Sequence, residues 1–341
     1  MRFKDTKAPE ALKKETLLLM QAKMHKANIG RIRPLKFTVV AACILLVFTT
    51  TVFALTLLDV DFIRFLQPNN DEQAQYLANG AYIVDKIDKK KTGSIHVKQV
   101  IGDSNLTYIL FDFIAPRGTI LDDYRYYFYL DNIDSDYDEH FFGITQIPDE
   151  DTTDNVISFV CDIITEMGSL QGSEIKIALH NLASYETEEI YLTENRFSNY
   201  EKSGAIAMGN WEVIFDADFK SYSVPQKVSQ KVDIWGYEAD VKSIAISPIS
   251  VTIRMNTEFS EEISSALSEN TEIGSDSYPI EISYADGTLE VTEDFNGASS
   301  INHKTGEITT VKMFDGVINN KEIVSIHLFG EILYQGEVNH K

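Results

Sequence analysis

The residues best suited to chemistry gather in one acidic stretch, Asp134-Ser135-Asp136-Tyr137-Asp138-Glu139-His140. Carboxylates at alternate positions resemble the opening of a calcium loop. The loop's sixth position requires glycine and its twelfth a bidentate Glu. Here those positions hold Glu139 and Thr145, so an acidic, solvated hairpin tip is the better reading. The aromatic run Tyr124-Arg125-Tyr126-Tyr127-Phe128-Tyr129-Leu130 alternates as a strand. Tyr124, Tyr126, Phe128 and Leu130 share one side, Tyr127 and Tyr129 the other. One side suits a core; the other suits either an aromatic platform for a glycan or peptide, or cross-strand packing.

The seven histidines, His25, His96, His140, His180, His303, His327 and His340, are scattered and none shows zinc spacing. No G-x-S-x-G, phosphate-binding loop or Cys/His pair is present. The chain is therefore read as non-enzymatic, with no catalytic residue, metal site or cofactor assigned. A net charge of −22 argues against nucleic acid as a partner, which calls for a basic surface.

The elements that would position these residues are organised around one apolar run. Phe37 to Leu58 is 22 residues without a charge. At about 1.5 Å per helical residue it spans roughly 33 Å, enough to cross a hydrocarbon layer of ~30 Å. Residues 1–36 hold ten Lys and Arg against three acids, a net +7, which leaves −29 for residues 59–341. Basic residues beside a span stay on the cytoplasmic side, so the N-terminus is predicted inside and residues 59–341 outside. Val52-Phe53-Ala54 offers a cleavage motif in outline. However, a 36-residue basic lead and a 22-residue run exceed signal-peptide dimensions, and the run is read as a retained anchor. Cys43 lies in the span and Cys161 outside it, so the exterior has no internal disulfide.

Within residues 1–36, Ala8 to Ala27 carries Pro9 and Glu10 in a helix-opening position. Leu12, Thr16, Leu19 and Met20, then Lys23 and Met24, recur at helical spacing. One amphipathic helix cannot bury its own apolar face, so it lies on anionic lipid or docks a cytoplasmic protein. Residues 59–80 read as a short helical stalk. From Ala81 the period becomes two. YIVDKID, SIHVKQVIGD, LTYILFDFIAP, YRYYFYLDNI, VISFVCDIIT, EIKIALHNL and EEIYLTE predict seven strands of one antiparallel sandwich over 81–198. A polar joint, Arg196 to Gly204, precedes a second strand set over 205–335, opened by AMGNWEVIFDADF. Asp286-Gly287 marks a hairpin there. No short-period repeat stands out.

This layout resembles the membrane-anchored anti-sigma-factor-like proteins of Gram-positive bacteria that carry the domain of unknown function 4179 followed by an immunoglobulin-like domain. The resemblance rests on the basic segment Ala8-Pro9-Glu10-Ala11-Leu12-Lys13, the single span and the run Thr92 to Leu121. GNWEVIFDADF and Ile244 to Met255 resemble the second domain. The resemblance implies a mainly β fold with a short cytoplasmic helix, one transmembrane helix and two extracellular immunoglobulin-like sandwiches. It implies a regulator of transcription and signal transduction that holds an extracytoplasmic-function sigma factor while its exterior senses the envelope or an envelope ligand. On this sequence the docking role falls on Pro9, Leu12, Leu19 and Met20. The chain departs from the pattern in having only 36 residues before the span, with His25 as the lone His there and no Cys. Either a single helix suffices for docking or only the exterior is active. The other class of reading is a structural or adhesive envelope protein with no sigma partner.

The retained anchor gives the first expected outcome. N-terminal sequencing of the membrane-associated protein should find residues upstream of Lys36, whereas a mature chain beginning near Leu55 would contradict it.

Overall fold

Alternating apolar and polar residues place one side chain inside and the next outside, and here they build antiparallel sheets throughout. The computed structural model describes residues 59–121, 125–135, 140–149, 151–166, 168–184, 205–269, 278–291, 296–319 and 322–336. The inner segment, the apolar run and Pro9, Leu12, Leu19 and Met20, expected as docking residues, lie outside them. Among the described residues no helix is long and apolar enough to cross a membrane. The chain divides into Met1–Val52 and Phe53–Lys341, and the described residues all belong to the second unit.

The first domain is built from β1 (Tyr82–Lys90), β2 (Gly93–Gly102), β3 (Leu106–Ile114), β4 (Tyr126–Ser135), β5 (His140–Gln146), β6 (Val156–Thr165), β7 (Glu174–Ser184) and β8 (Ala205–Asp216). One sheet has the order β1-β2-β3-β6-β5 and the other β4-β7-β8. Their facing sides share one core. Phe111 stacks on Phe159 with ring centroids 5.4 Å apart, and Phe113 meets Trp211 edge-on at 5.3 Å. Tyr126 and Phe128 point into this core, so the inward side of the aromatic run is packing.

The second domain is built from β9 (Val224–Ile234), β10 (Tyr237–Ile246), β11 (Ser250–Asn256), β12 (Ile280–Tyr284), β13 (Leu289–Val291), β14 (Asn296–Asn302), β15 (Glu307–Met313), β16 (Ile323–Leu328) and β17 (Glu331–Gln335), with the helix α3 (Ser260–Glu269) after β11. Its sheets run β14-β15-β11-β10-β9 and β13-β12-β16-β17 around a second core. The hairpin expected at Asp286-Gly287 joins β12 to β13, with Gly287 at φ +88°.

The two domains repeat one plan. In each, an outer strand folds back on the next through a hairpin, as β1 on β2 and β9 on β10. The next strands then fall into the order first, second, fifth, fourth in that sheet, and third, sixth, seventh in the other, with β13 added in the second domain. Periodicity in the sequence carries strand length and burial but not pairing order, which is why no repeat is legible there.

Two expectations are corrected. Ala205–Asp216, expected to open the second sandwich, pairs with β7 and closes the first. Alternation puts Trp211, Val213 and Phe215 on one face of this strand, and that face is buried. The residues between β7 and β8, 185–204, lie outside the described set, as does the EEIYLTE strand. A polar stretch between two strands of one sheet reads like a linker between domains. Residues 59–80, expected as a stalk, are two packed helices, α1 (Val60–Leu66) and α2 (Asp71–Gly80). Phe62, Leu66 and Leu77 are buried with Ile101, Leu106, Tyr108, Leu110 and Val160 of the first domain and Ile249, Val311 and Val317 of the second.

Beside this third core, Asp103 joins the β2–β3 turn to the β10–β11 turn. It is only 1% exposed. Its Oδ1 accepts the backbone N–H groups of Asn105 (2.9 Å) and Leu106 (2.8 Å), which shapes its own turn. Its Oδ2 accepts the hydroxyls of Ser247 and Ser250 across the interface. Ser247 Oγ in turn accepts the N–H groups of Ile249 (3.1 Å) and Ser250 (2.9 Å). Removing this acceptor leaves four buried donors unmatched, at roughly 1–3 kcal/mol each less whatever water recovers. Asp103→Ala should lower unfolding free energy by about 3 kcal/mol or more in urea titration. A loss below about 1 kcal/mol would mean the joint is wet or unimportant.

Candidate functional site

The chain entering the described region at Asp59 is fixed at once. Asp59 caps α1, its carboxylate accepting the N–H of Asp61 at 2.9 Å. Asp61 in the first turn and Arg64 in the last suit the helix dipole. Gln67 stops the helix in the left-handed region at φ 45°, and Pro68 follows. Asn70 then caps α2 by accepting the N–H of Gln73 at 3.0 Å. These short helices are held by packing and side-chain bonds, since isolated helices of this length are unstable in water.

The strongest of those bonds form a cluster on the first sheet. Lys98 of β2 has its Nζ 3.0 Å from Asp59, 2.9 Å from Asp61 and 3.3 Å from Asp112 of β3. The Lys98 side chain is 14% exposed, and those of Asp61 and Asp112 are 13% and 12% exposed. The backbone N–H of Asp59 also donates to Gln99 Oε1 at 2.7 Å. Arg64 reaches Asp61 at 3.3 Å and donates to the Pro148 carbonyl at 3.2 Å. Ser158 Oγ of β6 lies 3.0 Å from Asp61 and 2.7 Å from Asp112.

The charges are unequal, and the protons follow. Burial alone would lower the Lys98 ammonium, but Asp112, Asp61 and Asp59 outweigh it and hold its pKa above the ordinary 10.5. Lys98 therefore stays a fixed cation. Burial would likewise raise Asp61, yet the hydrogen bond and charge of Lys98, with Ser158 and Arg64, bring it below the ordinary 3.8. For Asp112 burial prevails over Lys98 and Ser158, and its pKa is raised. The Ser158 hydroxyl has one proton to give and stands within hydrogen-bond distance of both carboxyls, closer to Asp112.

A cavity of about 240 Å³ opens beside the cluster, lined by Asp61, Asp112, Asp149, Asp151, Asp154 and Arg64 among others. Asp149 Oδ2 is buried there and has no hydrogen-bond partner among the described residues. Among the described residues no three His, Cys, Asp or Glu are placed to hold a metal ion. Of the acidic stretch expected at the hairpin tip, residues 136–139 lie outside the described residues. The Cys161 side chain is buried in the first core.

The far end of α1 meets the second domain. Leu66 O accepts the N–H of Val317 at 3.0 Å, and Glu72 of α2 accepts Asn319 Nδ2 at 2.9 Å. The eight residues from Asp59 to Leu66 are thus bonded to one domain at their start and to the other at their end.

Sequence reading missed this site. A partial signal was present: Lys98 and Asp112 are charges inside otherwise apolar strands, GSIHVKQVIG and LTYILFDFI. A charge buried in a strand needs a partner, but nothing in the spacing of positions 59, 61, 98, 112 and 158 says that they meet.

The fold and site define a mainly β protein of two packed antiparallel domains with a clamped entry helix. No family model matches the chain, and no curated protein matches it. Among solved structures, the crystal structure of the conserved domain protein from Bacillus anthracis aligns at 13% identity with a TM-score of 0.48. The alignment covers 72% of this chain and 75% of that one, and at that score it carries no argument about function.

Two outcomes follow. Lys98→Met strands buried carboxylates and should cost about 3–5 kcal/mol at neutral pH by chemical denaturation; an exposed pair would cost under about 1 kcal/mol. Asp61, with its lowered pKa, contributes stability above pH 3.8 that is lost as pH falls through its folded value. Asp112, with its raised pKa, has the opposite sign: stability falls as pH rises from 3.8 through its folded value. Asp61→Asn should therefore be more destabilising at pH 7 than at pH 3, and Asp112→Asn less so. Equal effects at both pH values would contradict these assignments.

Proposed function

We propose that the protein is a single-pass membrane regulator of the anti-sigma-factor-like class. Residues 37–58 span the bilayer. Residues 1–36 hold an extracytoplasmic-function sigma factor through the apolar stripe that contains Pro9, Leu12, Leu19 and Met20. The two β domains stand outside the cell and respond to the envelope. Charge supports the orientation, +7 before the run and −29 after it. The repeated strand order supports immunoglobulin-like domains, because four strands in the order first, second, fifth, fourth against third, sixth, seventh is the constant-type arrangement.

One observation carries the regulatory reading over the structural or adhesive one. The first residues after the apolar run are bonded to both β domains, at Lys98 and at Val317. A passive anchor would suit a free spacer here. A segment held by both domains gives a shift of one domain against the other a direct route to the residues entering the bilayer. Release of the sigma factor then follows from loss of the inner helix's docked state, by movement or by cleavage near the span.

Full-length protein solubilised from membranes should retain a sigma factor of the extracytoplasmic-function class. The Leu12→Asp/Leu19→Asp variant, equal in membrane level, should lose most of it. Wild type and variant behaving alike would overturn the proposal.

A further inference from the structure

The strand next to the clamp has an unusual outer face. Asp59 is bound to Lys98 and Gln99 of β2, and β1 pairs with β2 there, Ile83 opposite Gln99 and Ile87 opposite His96. Ile95 and Val97 of β2 point into the first core. Residues opposite each other share a face, so Ile83 and Ile87 lie on the side of the sheet that carries α1. Both are open to solvent, 49% and 57% exposed, as is Val60 in the first turn of α1 at 63%.

The same strand and its turn are basic in an acidic molecule. Residues 82–92 hold Lys86, Lys89, Lys90 and Lys91 against Asp85 and Asp88, a net +2 in a chain of −22. The two acids are engaged: Asp85 with His96 at 2.8 Å, and Asp88 with Lys90 and with the N–H of Glu212, both at 2.9 Å. Lys86 turns to the other side and donates to the Ile214 carbonyl at 2.7 Å. Lys90, opposite Gly93, lies on that other side as well, whereas Lys89, opposite Ser94, shares the side of Ile87, and Lys89 and Lys91 are exposed. Lysines on an edge strand often serve only to prevent pairing with another chain. Here β8 runs alongside β1, joined to it by the Lys86 and Asp88 bonds, so this edge is covered without them.

We propose that this face, Val60, Ile83 and Ile87 with Lys89 and the turn residue Lys91, rests on the anionic surface of the bilayer that residues 37–58 enter. The inference depends on that span. Leu58, its last residue, is joined directly to Asp59, so the clamp sits at the lipid interface with no spacer between. Apolar side chains flanked by lysines suit the boundary of headgroups and acyl chains, where cations attract anionic lipid. The bilayer thereby supports the clamp from outside, and the first domain has a fixed orientation on the membrane.

The test uses full-length protein in vesicles of phosphatidylcholine alone or with one quarter phosphatidylglycerol. Cys43→Ala leaves Cys161, which is buried, and a nitroxide is placed at Ile87→Cys or, as reference, at exposed Leu289→Cys in the second domain. In anionic vesicles the ratio of oxygen to nickel-chelate accessibility should be severalfold higher at position 87 than at 289. Lys89→Glu and Lys91→Glu together should bring it down to the reference. Equal ratios at 87 and 289, in protein that resists alkaline carbonate extraction, would overturn the lipid-facing surface and leave the span intact. Extraction by carbonate would remove the span, and this inference with it.

Discussion

A single buried carboxylate, Asp103, holds the architecture together. A carboxyl group so fully removed from water is tolerated only when its lone pairs are matched, and here two donors come from each domain. The same side chain therefore shapes the β2–β3 turn and fixes the β10–β11 turn against it. Gly102 just before it has no room for a side chain, since a Cβ would meet the Phe219 ring at 2.6 Å. The turn must approach this closely, and the apolar faces of the two sheets and of α1 and α2 then close into the third core.

The third core gives the entry helix its role. Burial of Phe62 and Leu66 places α1 against the first domain's sheet and beside Val317 of the second. The Lys98 cluster adds direction to that packing. Apolar contact alone would let a seven-residue helix slide or rotate, whereas three carboxylates on one ammonium, two of them from the helix start, fix its register. Burial raises Asp112 while Lys98, Ser158 and Arg64 hold Asp61 down, so the cluster is a mechanical fastening whose two buried carboxyls respond oppositely to pH.

What the sequence disclosed was local. Alternation gave the strands and their buried faces, down to Trp211, Val213 and Phe215, and Asp286-Gly287 gave its hairpin. It did not disclose β5 or β14, nor the partner of Ala205–Asp216, because pairing across a long connection leaves no periodic mark. Residues 59–80 looked like a stalk because short helices with three or four apolar residues resemble any exposed helix until a surface to cover them is known. Asp103-Ser104, between two apolar strands, has the residue types of a turn, but the distant serines that complete it are invisible to a one-dimensional reading. Pro9, Leu12, Leu19 and Met20 stand as sequence expectations outside the described residues.

The central claim is that the interdomain joint and the entry helix form one mechanical unit. Amide hydrogen exchange at Phe62 to Leu66 tests it most directly, comparing wild type with Ser247→Ala/Ser250→Ala, two changes in the second domain. The account predicts that loosening the joint speeds exchange in α1 by about tenfold or more while the first core stays protected. Unchanged protection of α1 with a weakened joint would contradict it.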